Sequence, residues 1–213
     1  IDFKLERILS VYKKLNISKI ANKIITVAGT NGKGSTVSFL ESVLNEKKYH
    51  VGTFTSPHIL RYNERIKINA IEIDDESLLE TFEMIDKVRG DTTLTYFEFA
   101  TLSAFYLFSK SNLDVAVLEV GLGGRLDATN IVDSDISIIT SIGIDHTEFL
   151  GNTIDSIALE KAGVMRPFKT CIYAQEKPPA ALLKYAKNKS VNLLIHNNDC
   201  LLYTSDAADE KRC

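Results

Sequence analysis

The stretch Ile24-Ile25-Thr26-Val27-Ala28-Gly29-Thr30-Asn31-Gly32-Lys33-Gly34-Ser35-Thr36 decides how this chain is read. A β-branched run enters a glycine-punctuated turn, and an amphipathic segment carrying Val37, Phe39, Leu40, Val43 and Leu44 leaves it. That order is strand, phosphate loop, helix. Gly29, Gly32 and Gly34 let the backbone turn its N–H groups inward, and the helix that follows offers the positive end of its dipole. Lys33 adds a mobile cation for β- and γ-phosphates, and Ser35 and Thr36 add hydroxyls for phosphate or metal. The match to G-x-x-x-x-G-K-[ST] is imperfect, because Val27 stands five before Gly32 and Gly34 follows Lys33. A glycine turn with a solvated lysine is the alternative for this loop taken alone.

Bulk properties bound the rest. A length of 213 residues allows one large domain or two small ones. With 45% hydrophobic and 25% charged residues the composition is that of a soluble globular protein. A net charge of −3 gives no electrostatic argument for nucleic acid or an anionic membrane. No apolar run reaches spanning length, and no signal peptide is visible. Cys171, Cys200 and Cys213 are few, odd in number and unclustered, which fits a reducing cytosol rather than a disulfide or zinc framework. The chain opens inside an apolar-periodic segment (Leu5, Ile8, Leu9, Tyr12) and closes with a run from Tyr203 to Cys213 that has no core pattern. That run is similar to translated sequencing-adapter sequence. Residues 1–198 are therefore taken as one incomplete phosphate-loop domain, and 199–213 are set aside as a non-native tail.

Periodicity predicts helices over residues 4–16, 33–48, 76–88, 96–110, 153–163 and 179–188. It predicts buried strands over 23–28, 50–55, 113–120, 136–140, 169–174 and 191–195. Residues 59–70 are too polar and irregular for a core element and read as a functional loop. Strands and helices alternate, so the expected fold is α/β, a doubly wound, mostly parallel sheet with helices on both faces.

In such a sheet, ligands bind outside the carboxyl ends of the strands. Those ends carry the phosphate loop, Ser56-Pro57-His58, Glu119-Val120-Gly121 and Ile144-Asp145-His146. Glu119 closes a wholly apolar strand, and beside a triphosphate it is the best Mg²⁺ ligand, with Ser56 supplying a hydroxyl. Taken alone, such a carboxylate makes an ordinary cap or ion pair. His146 lies beyond another strand end, where a structural hydrogen bond competes with metal ligation. His58 could orient its loop or touch substrate. In Gly121-Leu122-Gly123-Gly124-Arg125-Leu126-Asp127, Arg125 could clamp a carboxylate or phosphate, and Asp127 could accept from a ring N–H. A solvated turn fits that stretch equally well. Lys161, near a helix end, normally just complements the helix dipole.

Taken together, Gly29–Ser35, Ser56-Pro57-His58, Arg61–Ile66, Phe97-Glu98, Glu119–Asn130, Thr140–His146 and Glu160-Lys161-Ala162-Gly163 closely resemble the folylpolyglutamate synthase/dihydrofolate synthase family of the Mur ligase superfamily. The resemblance implies an ATP-dependent ligase that adds L-glutamate to dihydropteroate or reduced folates through an acyl phosphate. It implies ATP and Mg²⁺ as cofactors, with Gly29, Thr30, Asn31, Gly32, Lys33, Gly34, Ser35 and Thr36 holding the phosphates and Lys33 the main cation. Ser56 and Glu119 look like ligands of a first Mg²⁺ and His146 of a second. Lys161 resembles the family's carbamate-carrying lysine, which turns a cation into a carboxylate-like anion near metal. His58, Phe97, Arg125 and Asp127 look like substrate-side contacts.

Members of that family run to about twice this length, with a second α/β domain, so the expectation is a fragment that does not turn over alone. The full-length protein is expected to be a cytoplasmic monomer acting on small molecules, with no nucleic-acid or membrane partner. Two other readings compete. A Mur-type ligase of cell-wall precursors would share the ATP loop but lack the Ser-Pro-His and Gly-Leu-Gly-Gly-Arg-Leu-Asp stretches. A nucleotide-binding module without catalysis would have less reason to keep Lys33, Glu119, His146 and Lys161 together.

Overall fold

The computed structural model describes residues 4–199. Apart from Asp199, the run expected to be a non-native tail lies outside them. In chain order the elements are α1 (Glu6–Lys14), β1 (Lys23–Ala28), α2 (Lys33–Glu46), β2 (Val51–Phe54), a 3₁₀ turn (Tyr62–Arg65), β3 (Ile66–Ile68), β4 (Ile71–Glu72) and α3 (Asp75–Arg89). There follow α4 (Tyr96–Lys110), β5 (Val115–Glu119), a second 3₁₀ turn (Ala128–Ile131), β6 (Ile136–Ile139) and α5 (Thr147–Leu150). The described chain closes with α6 (Ile154–Ala162), β7 (Thr170–Tyr173), α7 (Ala180–Asn188) and β8 (Asn192–Ile195).

The eight strands of the described residues form one sheet in the order β4-β3-β2-β5-β1-β6-β7-β8. From β2 to β8 every neighbouring pair is parallel. The phosphate-loop strand β1 therefore lies between β5 and β6, and the loops after these three strands emerge side by side. β5 is buried at every position, as its continuous apolar run requires.

The two faces of the sheet are sorted by side-chain alternation. Val27, Val51, Val115 and Val117 pack with Val37 of α2 on one face. On the other, Phe54, Ala116 and Leu118 pack with Ala100, Ala104, Phe105 and Phe108 of α4. Ala28, Val120, Ile139 and Tyr173 pack there with Ala158 of α6 and Leu182 of α7. Each fully buried Val, Leu, Ile or Phe among them contributes roughly 1.5–3 kcal/mol. An outer layer of α1 and α3 covers α4 through Ile8, Val11, Ile85 and Leu102.

The polar stretch 59–70 departs from the expected loop. Ile66 is fully buried, and β3 and β4 extend the sheet as an antiparallel hairpin on the β2 edge. Two short strands joined at Asn69 and Ala70, both at positive φ, give too little alternation for the pattern to register. The one-turn helix α5, which follows the expected 144–146 loop and precedes the helix expected from 153, likewise falls below the length at which periodicity speaks.

Candidate active site

The phosphate loop is built as its glycines demand. Gly29 has φ +152, and a Cβ there would stand 1.8 Å from the Thr140 hydroxyl, so no side chain fits. Gly32, at φ 83, caps α2 in the left-handed region, and Lys33, Gly34, Ser35 and Thr36 form its first turn. The loop is held from the β6 side. The Thr140 hydroxyl donates to the Asn31 carbonyl at 2.6 Å, the Asn31 N–H donates to the Ser141 hydroxyl at 2.9 Å, and the Gly143 N–H donates to the Thr30 hydroxyl at 3.0 Å. Thr140 and Ser141 carry no charge or ring that would mark them in the sequence as loop supports. The Lys33 ammonium folds back onto the Gly29 carbonyl at 3.0 Å, and the Thr36 hydroxyl onto the Gly32 carbonyl at 2.8 Å.

Glu119, at the end of β5, is almost fully buried and faces the start of α2. Both its oxygens lie 3.8 Å from the point where a Cβ on Gly34 would stand. The Ser56 backbone N–H donates to Glu119 Oε2 at 3.0 Å. Burial pushes the carboxyl above its usual range, while that N–H and the charges of Lys33 and Arg65 pull the other way. A divalent cation beside a phosphate-bearing loop fits a carboxylate placed this way, because Mg²⁺ keeps most of its shell for waters and phosphate oxygens. Among the described residues no three His, Cys, Asp or Glu side chains gather to hold a metal without such a ligand.

Two cavities adjoin beside the phosphate loop. The larger, about 560 Å³, runs from Lys33, Ser56 and Glu98 along Tyr96, Phe97, Leu122, Leu126 and Asp127 to Lys4 and Leu5. The smaller, about 30 Å³, is lined by Gly29, Thr30, Asp145, Leu150 and Lys161. Lys33, Gly121, Leu122 and His146 border both. His146 sits at φ 49 as the N-cap of α5, half exposed, with its Nε2 3.6 Å from Asp145 Oδ2. Lys161 is only 4% exposed. Burial, with Lys33 nearby, lowers its pKa from 10.5 to about 8, and Asp145 opposes that shift. No hydrogen bond or ion pair reaches the Lys161 ammonium among the described residues.

The expected substrate contacts divide. Phe97 lines the large cavity, wedged against Gly121, where a Cβ would meet its ring at 2.7 Å. Asp127 also borders the cavity, but its acceptor capacity is taken within the chain. Oδ2 accepts from the Gly121 and Leu122 N–H groups at 3.0 Å, and Oδ1 from the Thr129 N–H and hydroxyl at 2.9 and 2.6 Å. Burial raises its pKa against those four bonds. Asp127 thus shapes the glycine loop instead of offering a free acceptor to a ring N–H. Arg125 is turned away from the cavity and holds Glu160 Oε1 through Nε at 3.1 Å and Nη2 at 2.7 Å. His58 lies outside the cavity lining, with its Nδ1 accepting from Arg65 Nε at 2.8 Å.

Arg65 is the side chain that the sequence reading left without a role. Its guanidinium is 5.7 Å from the Tyr62 ring centre and 5.3 Å from that of Tyr96, and it borders the large cavity. Its loop is fastened by Glu64, which accepts the N–H groups of Ile59, Leu60 and Arg61 at 2.8, 2.7 and 2.7 Å. Those bonds lower the Glu64 pKa to about 2.

A β-strand, a glycine loop clamped by its neighbouring strand and a helix carrying lysine at its start define a phosphate-loop α/β domain. Residues 27–200 match the model of the Mur ligase middle domain. The chain belongs to the Mur ligase superfamily, in its folylpolyglutamate synthase/dihydrofolate synthase family. The dihydrofolate synthase/folylpolyglutamate synthase of Escherichia coli K12 is 47% identical over 91% of this chain and 46% of its own length. The structure of E. coli FolC in complex with DHPP and ADP superposes with a TM-score of 0.91 at 46% identity, over 93% of this chain and 48% of that one. A bifunctional folylpolyglutamate synthase/dihydrofolate synthase from Yersinia pestis, complexed with AMPPNP and Mn ion, gives 0.88 at 47% identity over 93% and 48%. The chain spans about half the length of the curated relatives it matches.

Proposed function

We propose that this chain is the ATP-binding part of a ligase that joins L-glutamate to the carboxylate of dihydropteroate or a reduced folate through an acyl phosphate. The observation that carries the reading is the shared border. The phosphate loop and an elongated, largely apolar cavity meet at Lys33, Gly121, Leu122 and His146. A flat ring system along Phe97, Leu122 and Leu126 brings an acid group to the end where the phosphates lie. Relatives whose structures hold ADP with DHPP, and AMPPNP with Mn ion, support the same pairing of ligands.

In this reading the loop amides and Lys33 hold the nucleotide, Lys33 leaving the Gly29 carbonyl for the phosphates. Glu119 and the Ser56 hydroxyl hold a Mg²⁺, and His146 with a carbamate on Lys161 holds a second; bound metal supplies neutralisation of the phosphate charge. The chain's own work is positioning and charge placement. A carboxylate oxygen of the acid attacks the γ-phosphorus and ADP leaves. The glutamate amine then attacks the acyl carbon, and the tetrahedral intermediate expels phosphate. Residues 1–213 alone are expected to bind nucleotide without turnover. A cytoplasmic monomer acting on small molecules belongs to the same reading. Among the described residues no helix is long and apolar enough to cross a membrane.

The test is a mass-spectrometric product assay on the full-length protein with ATP, Mg²⁺ and glutamate, dihydropteroate and reduced folates being offered in parallel. A glutamylated product from either supports the reading and tells the two activities apart. No product from either contradicts it and directs the assay to cell-wall precursors.

A further inference from the structure

Arg65 is buried, 6% exposed, yet its fixed contacts leave most of its donors free. Nε donates to His58 Nδ1 at 2.8 Å, and the guanidinium sits against both the Tyr62 and Tyr96 rings, which meet edge to face. No protein acceptor reaches Nη1 or Nη2 among the described residues. Neither terminal nitrogen is among the buried unpaired side-chain atoms of the described residues, so both are open toward the cavity that Arg65 borders, where an acceptor brought in from outside can complete them. The cavity it borders also sorts its charges in that sense. Of the carboxylates that line it, Glu98 is taken by Arg7 and the Thr95 N–H, and Asp127 by four donors. The unmet capacity in the cavity wall is cationic, and the occupant that meets it is an anion.

We propose that Arg65 is the substrate-binding residue that grips the carboxylate of the acid substrate at the phosphate-loop end of the cavity, with its terminal nitrogens donating in a fork. The assignment rests on the ligase reading above and adds the residue that orients the group to be phosphorylated. The placement serves that role. Arg65 lies close enough for its charge to act on Glu119, and Ser56 and Lys33 border the same cavity. The His58 bond and the two rings fix the plane of the fork, so that a carboxylate docked on it is held in one orientation. His58 thereby acts as a positioning residue that touches Arg65 and not the cavity.

The test compares an acid with its primary amide. Dihydropteroate and the amide of its carboxylate are titrated into the full-length protein with AMPPNP and Mg²⁺, using the unsubstituted protein, R65Q and R65K. The unsubstituted protein is expected to prefer the acid by about 10-fold or more, the scale of a charge-assisted fork. In R65Q that preference collapses to about 1, amide binding and AMPPNP binding staying within about 2-fold, and R65K recovers part of it because charge remains without the fork. An unchanged preference in R65Q, or equal loss of acid and amide, overturns the assignment. Loss of AMPPNP binding in both variants overturns it as well, since Arg65 is then a structural residue. Binding of neither ligand by the unsubstituted protein contradicts the ligase reading itself, a pattern distinct from the other three.

Discussion

Replacing Lys161 by Met should make the protein more stable and leave it inactive. Lys161 is 4% exposed and its ammonium has no ion pair among the described residues, and burial brings its pKa from 10.5 to about 8. At about 1.36 kcal/mol for each pH unit, holding that charge in the fold costs about 3 kcal/mol at neutral pH. The sign follows from the lowered value. Between about 8 and 10.5 the unfolded chain binds the proton more tightly, so the stability of the unsubstituted protein rises with pH through that window. Below about 8 both states are charged and the full cost remains. Lys161→Met, close in length, is therefore expected to gain about 3 kcal/mol near pH 7 and only about 1 kcal/mol near pH 9.5. Denaturant unfolding of the full-length protein in bicarbonate-free buffer, without nucleotide, reads both values. The same lowering leaves about one Lys161 in eleven neutral at pH 7, against roughly one in three thousand for an ordinary lysine, which is what reaction with CO₂ requires. A Met variant no more stable than its parent at pH 7 would refute the reasoning, because the charge would then have a partner that offsets its burial.

Three further substitutions probe separate parts of the site. Gly121→Ala places a Cβ 2.7 Å from the Phe97 ring, so dihydropteroate affinity is expected to fall about 10-fold with ADP affinity unchanged, read by titration of both ligands. Asp127→Asn turns an amide N–H₂ against two of the four donors around the carboxylate, and should cost about 2–4 kcal/mol in denaturant unfolding. Glu64→Gln loosens the grip on three backbone amides, so exchange at Ile59, Leu60 and Arg61 should quicken at neutral pH. In the unsubstituted protein the carboxylate's lowered pKa means that the stability this hold contributes is complete above about 4.5 and lost as pH falls through about 2.

Much of this architecture is legible because local pattern and tertiary role coincide. β1 over Lys23–Ala28 and α4 over Tyr96–Lys110 fall where the apolar runs place them, and Glu119 sits at the buried rim its strand implies. The β3–β4 hairpin was not legible, since its strands exist through pairing with β2 and not through their own alternation. The partners of polar side chains were equally hidden. Nothing in the composition of the glycine loop says that Asp127 bonds the loop's own amides or that Arg125 turns to Glu160. Arg65 was obscured by its neighbours. It stands in a polar, irregular run that reads only as a functional loop, and the fold alone sets it against two tyrosine rings.

The central claim is that the large cavity presents a carboxylate to the phosphate held above Lys33. It is tested most directly by following oxygen in the full-length protein. Dihydropteroate labelled with heavy oxygen in its carboxylate is turned over with ATP, Mg²⁺ and glutamate, and the released phosphate is analysed by mass spectrometry. The account predicts one labelled oxygen in each phosphate released, because the bond from the carboxylate to phosphorus forms and the bond from that oxygen to carbon breaks. Glutamylated product accompanied by unlabelled phosphate would contradict it.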